Sequence, residues 1–344
     1  MKFFLFLAVL ISGSVALDCT QPPDNIKAGN SLNIPTGATE PVALPPNFNC
    51  TYQIKAPSMV WAHVRLENQL KGGNDMITIR DAMGKRTLVG SRSNTLLHFY
   101  VFPGTTTTFQ VTIKSVDVGS KFRMNVHYNQ MPTPTITQIG ADFQYNLLID
   151  LQANSMKHPM NVYGDGQVAL TVANSHVNSD KFDNYYIIDG TFTLHKGIYH
   201  LSDYLNRNFI STGNNLTITG LDNLASMSSV IYSNMLDTLQ FYDFTGFTAS
   251  YQPQTVQIDA TRKRDGLTVI SKNADSVIFT GITYPSGQTT DCSVKAYTSP
   301  VTVNSQLLVD FATIKAFPYT LNQKYFTIVV ESCSVALSMY SPLQ

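Results

Sequence analysis

The stretch P-P-N-F-N-C-T-Y-Q-I, residues 45–54, places a cysteine at the start of an alternating run. Beyond Cys50, the side chains of Tyr52 and Ile54 would fall on one face of an extended chain, because successive side chains of a strand point to opposite faces. We therefore predict that the first core strand begins here and that a disulfide holds its start.

The same period of two is clearest in V-W-A-H-V-R-L-E, residues 60–67. The apolar residues of this run share one predicted face: Val60, Ala62, Val64 and Leu66. The other face would carry Trp61, His63, Arg65 and Glu67. Similar runs follow at 76–81, 96–102, 108–114 and 121–128. About seven short strands within about 110 residues predict an antiparallel β-sandwich over residues 17–128.

The chain after this sandwich is also rich in strand-like runs. Residues 129–138 are polar and carry two prolines, which is typical of a linker between domains. Over 139–344, apolar runs alternate with turns that contain Gly, Asn and Asp. This region fits one or two sandwich-like domains, with a possible subdivision near 250, and the two parts could also share one sheet. The predicted fold class is therefore all-β.

Residues 1–16 have the pattern of a secretory signal peptide. Lys2 precedes an apolar run at 3–11, and small residues follow up to Ala16. No other segment reaches the roughly 18 to 20 uninterrupted apolar residues that a membrane-spanning helix needs. We predict a secreted, extracellular protein without a transmembrane segment, whose mature chain starts near Leu17.

Four cysteines remain after signal cleavage: Cys19, Cys50, Cys292 and Cys333. An even number of cysteines in an oxidising compartment predicts two disulfides, and three pairings are possible. The wide gap between the two clusters favours Cys19–Cys50 and Cys292–Cys333. Each bond would close a loop and stabilise the fold by on the order of 3–4 kcal/mol.

The charge balance limits the classes of partner. The 23 basic and 23 acidic residues give a net charge of zero, and 13% of the chain is charged. A nucleic-acid or anionic membrane surface needs a basic excess. We therefore expect no nucleic-acid partner.

Several motifs resemble those of CUB domains, which are extracellular β-sandwich modules. The resemblance covers residues 19–128 and is carried by 45–54, by N-D-M-I-T-I-R-D at 74–81 and by S-V-D-V-G-S-K-F-R-M-N-V-H-Y at 115–128. Tyr52 stands where the family usually has tryptophan, and the family's second disulfide is absent. The layout as a whole resembles the secreted CUB-like proteins of nematodes. That resemblance implies an innate immune role and no enzymatic activity.

The resemblance also implies a candidate calcium site. Glu67, Asp75 and Asp117 stand at positions similar to those of three acidic ligands in calcium-binding CUB domains. Calcium needs several oxygen ligands around one point, which carboxylates from separate loops can supply. The alternative is that all three are ordinary solvated turn residues.

Two sequons predict N-glycosylation, at Asn49 and at Asn215. Asn215 is the better acceptor, because Cys50 occupies the middle position of the first sequon and disulfide formation would compete there.

The leading hypothesis is a secreted, non-enzymatic binding protein. Its partner would be an extracellular protein or a glycan, for example one on a microbial surface. The chain has no H-E-x-x-H, G-x-S-x-G or P-loop pattern. The alternative is a secreted hydrolase with an active site in the C-terminal region, where carboxylates such as Asp237 and Asp243 could do acid–base work.

Overall fold

The structure is a computed structural model, and it confirms the all-β fold class. It describes residues 17, 19–116, 119–140, 146–150, 159–176, 181–222, 224–225, 227–261, 264–285 and 290–343, with 146–150 described by their backbone only. The predicted signal peptide at 1–16 lies outside the described residues.

Contacts divide the chain into two units, Met1–Gln130 and Met131–Gln344, here called the N-terminal and C-terminal units. The segment 129–138, predicted to be a linker, is mostly strand. Its first residues end a long strand of the N-terminal unit, and Thr135–Gln138 pairs in parallel with a strand of the C-terminal unit. Met131 is buried despite the polar sequence around it. Backbone hydrogen bonding to a neighbouring strand forms the strand here, and the polar composition of the segment does not predict that pairing.

The N-terminal unit contains two antiparallel sheets. Its strands are β1 (Ser31–Ile34), β2 (Val42–Ala43), β3 (Asn49–Lys55), β4 (Val60–Gln69), β5 (Met76–Arg80), β6 (Arg86–Gly90), β7 (Leu96–Val101), β8 (Thr106–Thr112) and β9 (Lys121–Gln130). One sheet has the order β1-β9-β4-β7, with β2 also paired to β9, and the other has the order β3-β8-β5-β6.

Alternation places the N-terminal core as the sequence predicts. In β3 the buried positions are Cys50, Tyr52 and Ile54, and the residues between them are exposed. The apolar face of β4 packs into the same core as Phe109 and Phe122 from β8 and β9. The side chains of both sheets thus fill one sandwich interior, which agrees with the predicted sandwich.

Among its described residues, the first half of the C-terminal unit has nine strands. They are β10 (Thr135–Gln138), β11 (Asn146–Asp150), β12 (Met160–Tyr163), β13 (Val168–Asn174), β14 (Tyr185–Gly190), β15 (His195–His200), β16 (Phe209–Ile210), β17 (Asn215–Gly220) and β18 (Ser229–Asn234). A short 3₁₀ turn, Leu201–Tyr204, follows β15, and the helix α1 (Met235–Thr238) follows β18.

The second half of this unit also consists mainly of strands. Its strands are β19 (Phe244–Ala249), β20 (Gln254–Asp259), β21 (Arg264–Ser271), β22 (Val277–Thr283), β23 (Ser293–Tyr297), β24 (Leu307–Asp310), β25 (Tyr319–Leu321), β26 (Tyr325–Glu331) and β27 (Ser334–Tyr340). A second 3₁₀ turn, Phe311–Thr313, follows β24.

One sheet runs through the C-terminal unit across residue 250. Its order is β11-β18-β13-β19-β21-β26-β23-β24, so strands from before and after that residue are neighbours. The smaller sheets β10-β12-β17-β14-β15 and β20-β27-β22-β25 accompany it. Of the alternatives that the sequence leaves open, the shared sheet is the one observed, because β13, β19 and β21 pair in parallel.

Each unit contains one disulfide. Cys19 and Cys50 have Cα atoms 5.6 Å apart and join the N-terminal segment to the start of β3. Cys292 and Cys333 have Cα atoms 5.2 Å apart and join the residue before β23 to the turn between β26 and β27. These are the two pairs that loop closure favours.

Candidate functional site

The outer face of the sheet β1-β9-β4-β7 carries an unusual set of rings. The alternation of β4 places Trp61, which is 9% exposed, and the half-buried His63 on the face opposite Val64 and Leu66, and pairing adds His98 and Tyr100 from β7 and His127 from β9. We call these five residues the ring face. His63 lies directly opposite Tyr100 on one side and His127 on the other, because β4 lies between β7 and β9.

Four of these rings form a continuous row. The ring centroids of Trp61 and Tyr100 are 6.0 Å apart, those of Tyr100 and His63 are 5.1 Å apart, and those of His63 and His98 are 5.0 Å apart. The last two pairs are stacked, with interplanar angles of 17° and 13°. Stacked rings on a pleated surface hold one another in place, so this row is ordered.

The histidines of the row are joined by a hydrogen bond. His63 Nε2 and His98 Nδ1 lie 2.8 Å apart, so one ring donates and the other accepts. Burial lowers the pKa of His63, and the nearby His98, His127 and Arg65 lower it further. His63 is therefore mainly neutral at pH 7.

Beside the rings, a polar network fixes the charged side chains. Glu67 accepts a hydrogen bond of 3.2 Å from Arg123, and Arg65 lies 3.7 Å from the same carboxylate oxygen. The amide oxygen of Asn33 accepts from Arg123 at 3.1 Å and from Asn125 at 2.9 Å. Charged and amide groups are thus presented in defined positions next to the ring row.

The Asp75 carboxylate, a predicted calcium ligand, is surrounded by donors from the protein itself. One oxygen accepts from the backbone N–H groups of Lys114 and Ser115, both at 2.9 Å. The other accepts from the Ser115 and Ser120 hydroxyls and from the Gly72 N–H. The side chain is 1% exposed. Burial alone would raise the pKa of Asp75, but these hydrogen bonds outweigh it and lower the pKa to about 2.

These donors already occupy both carboxylate oxygens, which a calcium ion would need as ligands. Calcium binding at Glu67, Asp75 and Asp117 stays a prediction. Glu67 is held by Arg123, and Asp117 lies outside the described residues. Within the part of the chain that the structure describes, no cluster of three or more His, Cys, Asp or Glu residues could hold a metal ion. Asp75 thus serves the fold, by joining the segments on either side of it.

The predicted glycosylation residues occupy different surroundings. Asn49 is exposed at the start of β3, where its amide oxygen accepts weak hydrogen bonds from Gln110 and Thr112. Asn215 is half-buried at the start of β17, and Thr217 of its sequon is fully buried. Glycan attachment at either residue stays a prediction.

The carboxylates named for a hydrolase lie in and just after α1. Burial raises the pKa of Asp237, which lies within the helix. The backbone N–H of Asp243 donates to Asp265 at 3.1 Å, and Asp265 is itself buried. No described contact joins Asp237 to Asp243.

Sequence reasoning located only part of the ring face. It assigned Trp61 and His63 to one face of β4, but His98, Tyr100 and His127 join them only through strand pairing. The signal that could have found them is the register of β7 and β9 against β4, which needs the turns between the strands to be known.

Comparison with known proteins identifies a domain in the N-terminal unit. Residues 14–132 match a family model described as the CUB-like domain. This range covers both N-terminal sheets and the whole ring face. A search of curated proteins found no match.

The solved structures that match this chain are distant in sequence. A human MASP-1/3 fragment, CUB1-EGF-CUB2, is 10% identical, with a TM-score of 0.22, over 90% of this chain and 98% of that one. The same domains of rat MASP-1 are 10% identical, with a TM-score of 0.23, over 91% and 97%. At these values the likeness does not bear on what this chain binds.

Within the described residues, no helix is both long and apolar enough to span a membrane.

Proposed function

We propose that this chain is a secreted, non-enzymatic binding protein that recognises an extracellular ligand through the ring face of its CUB-like domain. The row of rings from Trp61 to His98 is the observation that carries this proposal. Two disulfides, each in its own unit, support an oxidising extracellular location.

The composition of the ring face favours binding. Tyrosine, tryptophan and arginine are enriched where proteins bind their partners. His98, His127 and Arg65 are exposed, so a ligand has access to them. Stacking and the Glu67–Arg123 pair already order the side chains, so binding would lose little further side-chain entropy.

The ligand class follows from the chemistry of this surface. The rings can contact the apolar faces of sugar rings, and the neighbouring amides and charges can bind hydroxyl groups. The net charge of zero gives no general attraction to polyanions. We therefore propose a glycan of a microbial surface as the ligand and an innate immune, pathogen-response role for the protein.

The test is a binding screen of the mature chain, starting at Leu17, against a glycan array and a panel of killed bacteria. We expect binding to a subset of these surfaces and a loss of about fivefold in His98→Ala, since stacked contacts of this kind contribute about 1 kcal/mol. Leu88→Ala, on strand β6 of the other sheet and 54% exposed, is the control and should bind normally. Absence of binding to every surface, or equal binding by His98→Ala, would refute the proposal.

A further inference from the structure

The C-terminal unit has a pocket of about 420 Å³ beside strand β20. Its lining includes the polar side chains of Asn174, His176, Asn206, Gln254 and Gln257. The volume lies within the range of pockets that bind small ligands or single side chains of a partner.

The pocket lies along an open edge of the sheet. Strand β20 is the first strand of the order β20-β27-β22-β25, and among the described residues no strand pairs with its other edge. Gln254 and Val256 are half-buried, whereas Thr255 and Gln257 are exposed, yet all four line the pocket. Side chains of both orientations can line one pocket when it runs along the edge of the strand. Every second residue of β20 therefore directs its N–H and C=O toward this space.

Open edges of this kind are a hazard that proteins usually block, because they pair with other chains. The edge of β3 is covered by Gln21, whose amide donates to Thr51 O at 2.7 Å and accepts from Gln53 N–H at 3.0 Å. Strand β15 contains Lys196 and pairs with β14 through an irregular register. Strand β20, Q-T-V-Q-I-D, has no lysine, proline or register shift.

The lining of the pocket is uncharged. Its polar groups are amides, the hydroxyls of Thr245 and Thr255, and the imidazole of His176, whose pKa is lowered by partial burial of the ring, so that the ring is mainly neutral at pH 7. The amide oxygen of Gln254 is buried and has no hydrogen-bond partner among the described residues. A partner with N–H or O–H donors would satisfy this oxygen, whereas a charged side chain would find no counter-charge in the lining.

We propose that β20 is a docking edge for an extended, uncharged peptide segment of a partner protein, which adds a strand to the sheet and places one side chain in the pocket. Main-chain hydrogen bonds along the edge supply affinity, and the pocket supplies selectivity. A peptide fits better than a glycan, because no Trp, Tyr or Phe side chain lines the described pocket to stack on a sugar ring. This site is separate from the ring face and does not depend on it.

The test uses a phage-displayed library of random linear peptides, about 12 residues long, selected on the full mature chain, since β20 spans only about 20 Å. We expect enriched peptides with uncharged, strand-forming sequences. Bound peptide should slow hydrogen exchange of the β20 amides. Gln257→Lys should weaken binding at least about tenfold, because it brings a charge to the uncharged pocket. Ile136→Lys, on edge strand β10 and 71% exposed, is the control and should bind normally.

A second pair of variants separates loss of docking from loss of folding. In Thr255→Pro and Val256→Pro, one substitution removes an N–H that faces β27 and the other removes an N–H that faces the open edge. We expect one of them to keep slow exchange in β27 while losing peptide binding.

Four outcomes would overturn the proposal: no enriched peptide, equal binding by Gln257→Lys, binding without protection of β20, or a pocket that takes only glycans. Protection of β20 that rises with protein concentration in the absence of peptide would also overturn it, because the occupant would then be a second copy of this chain.

Discussion

The strands of the two units expose their faces differently. In the N-terminal unit, β3 alternates strictly between buried and exposed residues. In the C-terminal unit, β13, β14 and β21 are buried along almost their whole length, on both faces. Alternating hydropathy therefore marks strands with one exposed face, as in the N-terminal unit. In the C-terminal unit these strands are buried on both faces, so the alternation is absent.

Hydroxyl groups explain how the second face of these strands stays buried. Thr268 and Thr327 face each other with oxygens 2.9 Å apart, and Ser299 lies 2.9 Å from Thr327. Ser271 and Ser341 form a similar pair at 2.7 Å. Buried hydroxyls that bond one another need no water, so threonine and serine can occupy an interior layer. The same residues on a half-exposed strand would face solvent.

The largest predicted effect is the loss of stability of the N-terminal unit when its own disulfide is removed, compared with removal of the other disulfide. Replacing Cys19 and Cys50 by serine should lower the free energy of unfolding of the N-terminal unit by about 3–4 kcal/mol, because the bond closes a loop with a sequence separation of 31. The only tryptophan, Trp61, lies in this unit, so its fluorescence follows that unfolding alone. Replacing Cys292 and Cys333 should leave the Trp61 transition unchanged. If both double replacements shift the Trp61 unfolding transition equally, the two units do not unfold independently.

The next effect concerns the buried carboxylate of the N-terminal unit. Asp75→Ala should cost about 3 kcal/mol or more, because several buried N–H and O–H donors lose their acceptor. Denaturant titration of Trp61 fluorescence measures it. The matched control is Asp24→Ala, whose carboxylate is 74% exposed in a surface pair with Lys55 and should contribute less than about 1 kcal/mol. Similar costs for both variants would contradict the assigned role of Asp75.

Acidification should also show the contribution of Asp75 to stability. The pKa of Asp75 is lowered from 3.8 to about 2, so its contribution to folding is fully present above pH 4 and is lost as the pH falls through 2. The loss should be about 2 kcal/mol in the Trp61 transition. Asp75→Asn should lack this part of the pH dependence, and an unchanged acid profile in that variant would assign the effect to other carboxylates.

The smallest effect tests the hydroxyl layer of the C-terminal unit. Thr327→Val should cost about 1–2 kcal/mol, because the buried hydroxyls of Thr268 and Ser299 lose a partner. Thr78→Val, on a half-exposed strand of the N-terminal unit, should change stability by less than about 0.5 kcal/mol. Calorimetry of both variants measures the difference. A neutral Thr327→Val would mean that these bonds do not stabilise the interior layer.

These contrasts show how far sequence alone could lead. Alternation correctly predicted the all-β class and that Trp61 and His63 share the face of β4 opposite Val64 and Leu66, although Trp61 is buried there beside Tyr100. It could not show that β13, β19 and β21 share one sheet, since parallel pairing between distant segments leaves no local pattern. Nor could it reveal the role of Asp75, whose donors from 114–120 meet it only after β5 and β8 have paired.

The most direct test of the account is the fluorescence of Trp61 during titration of the mature chain with purified bacterial surface glycans. Because Trp61 is the only tryptophan and begins the ring row, ligand binding there should change its emission in a saturable way. We predict such a change in the wild type and in Leu88→Ala, with about fivefold weaker binding in His98→Ala. Glycan binding that sediments the protein yet leaves Trp61 emission unchanged, or equal affinity in His98→Ala, would contradict recognition by the ring face.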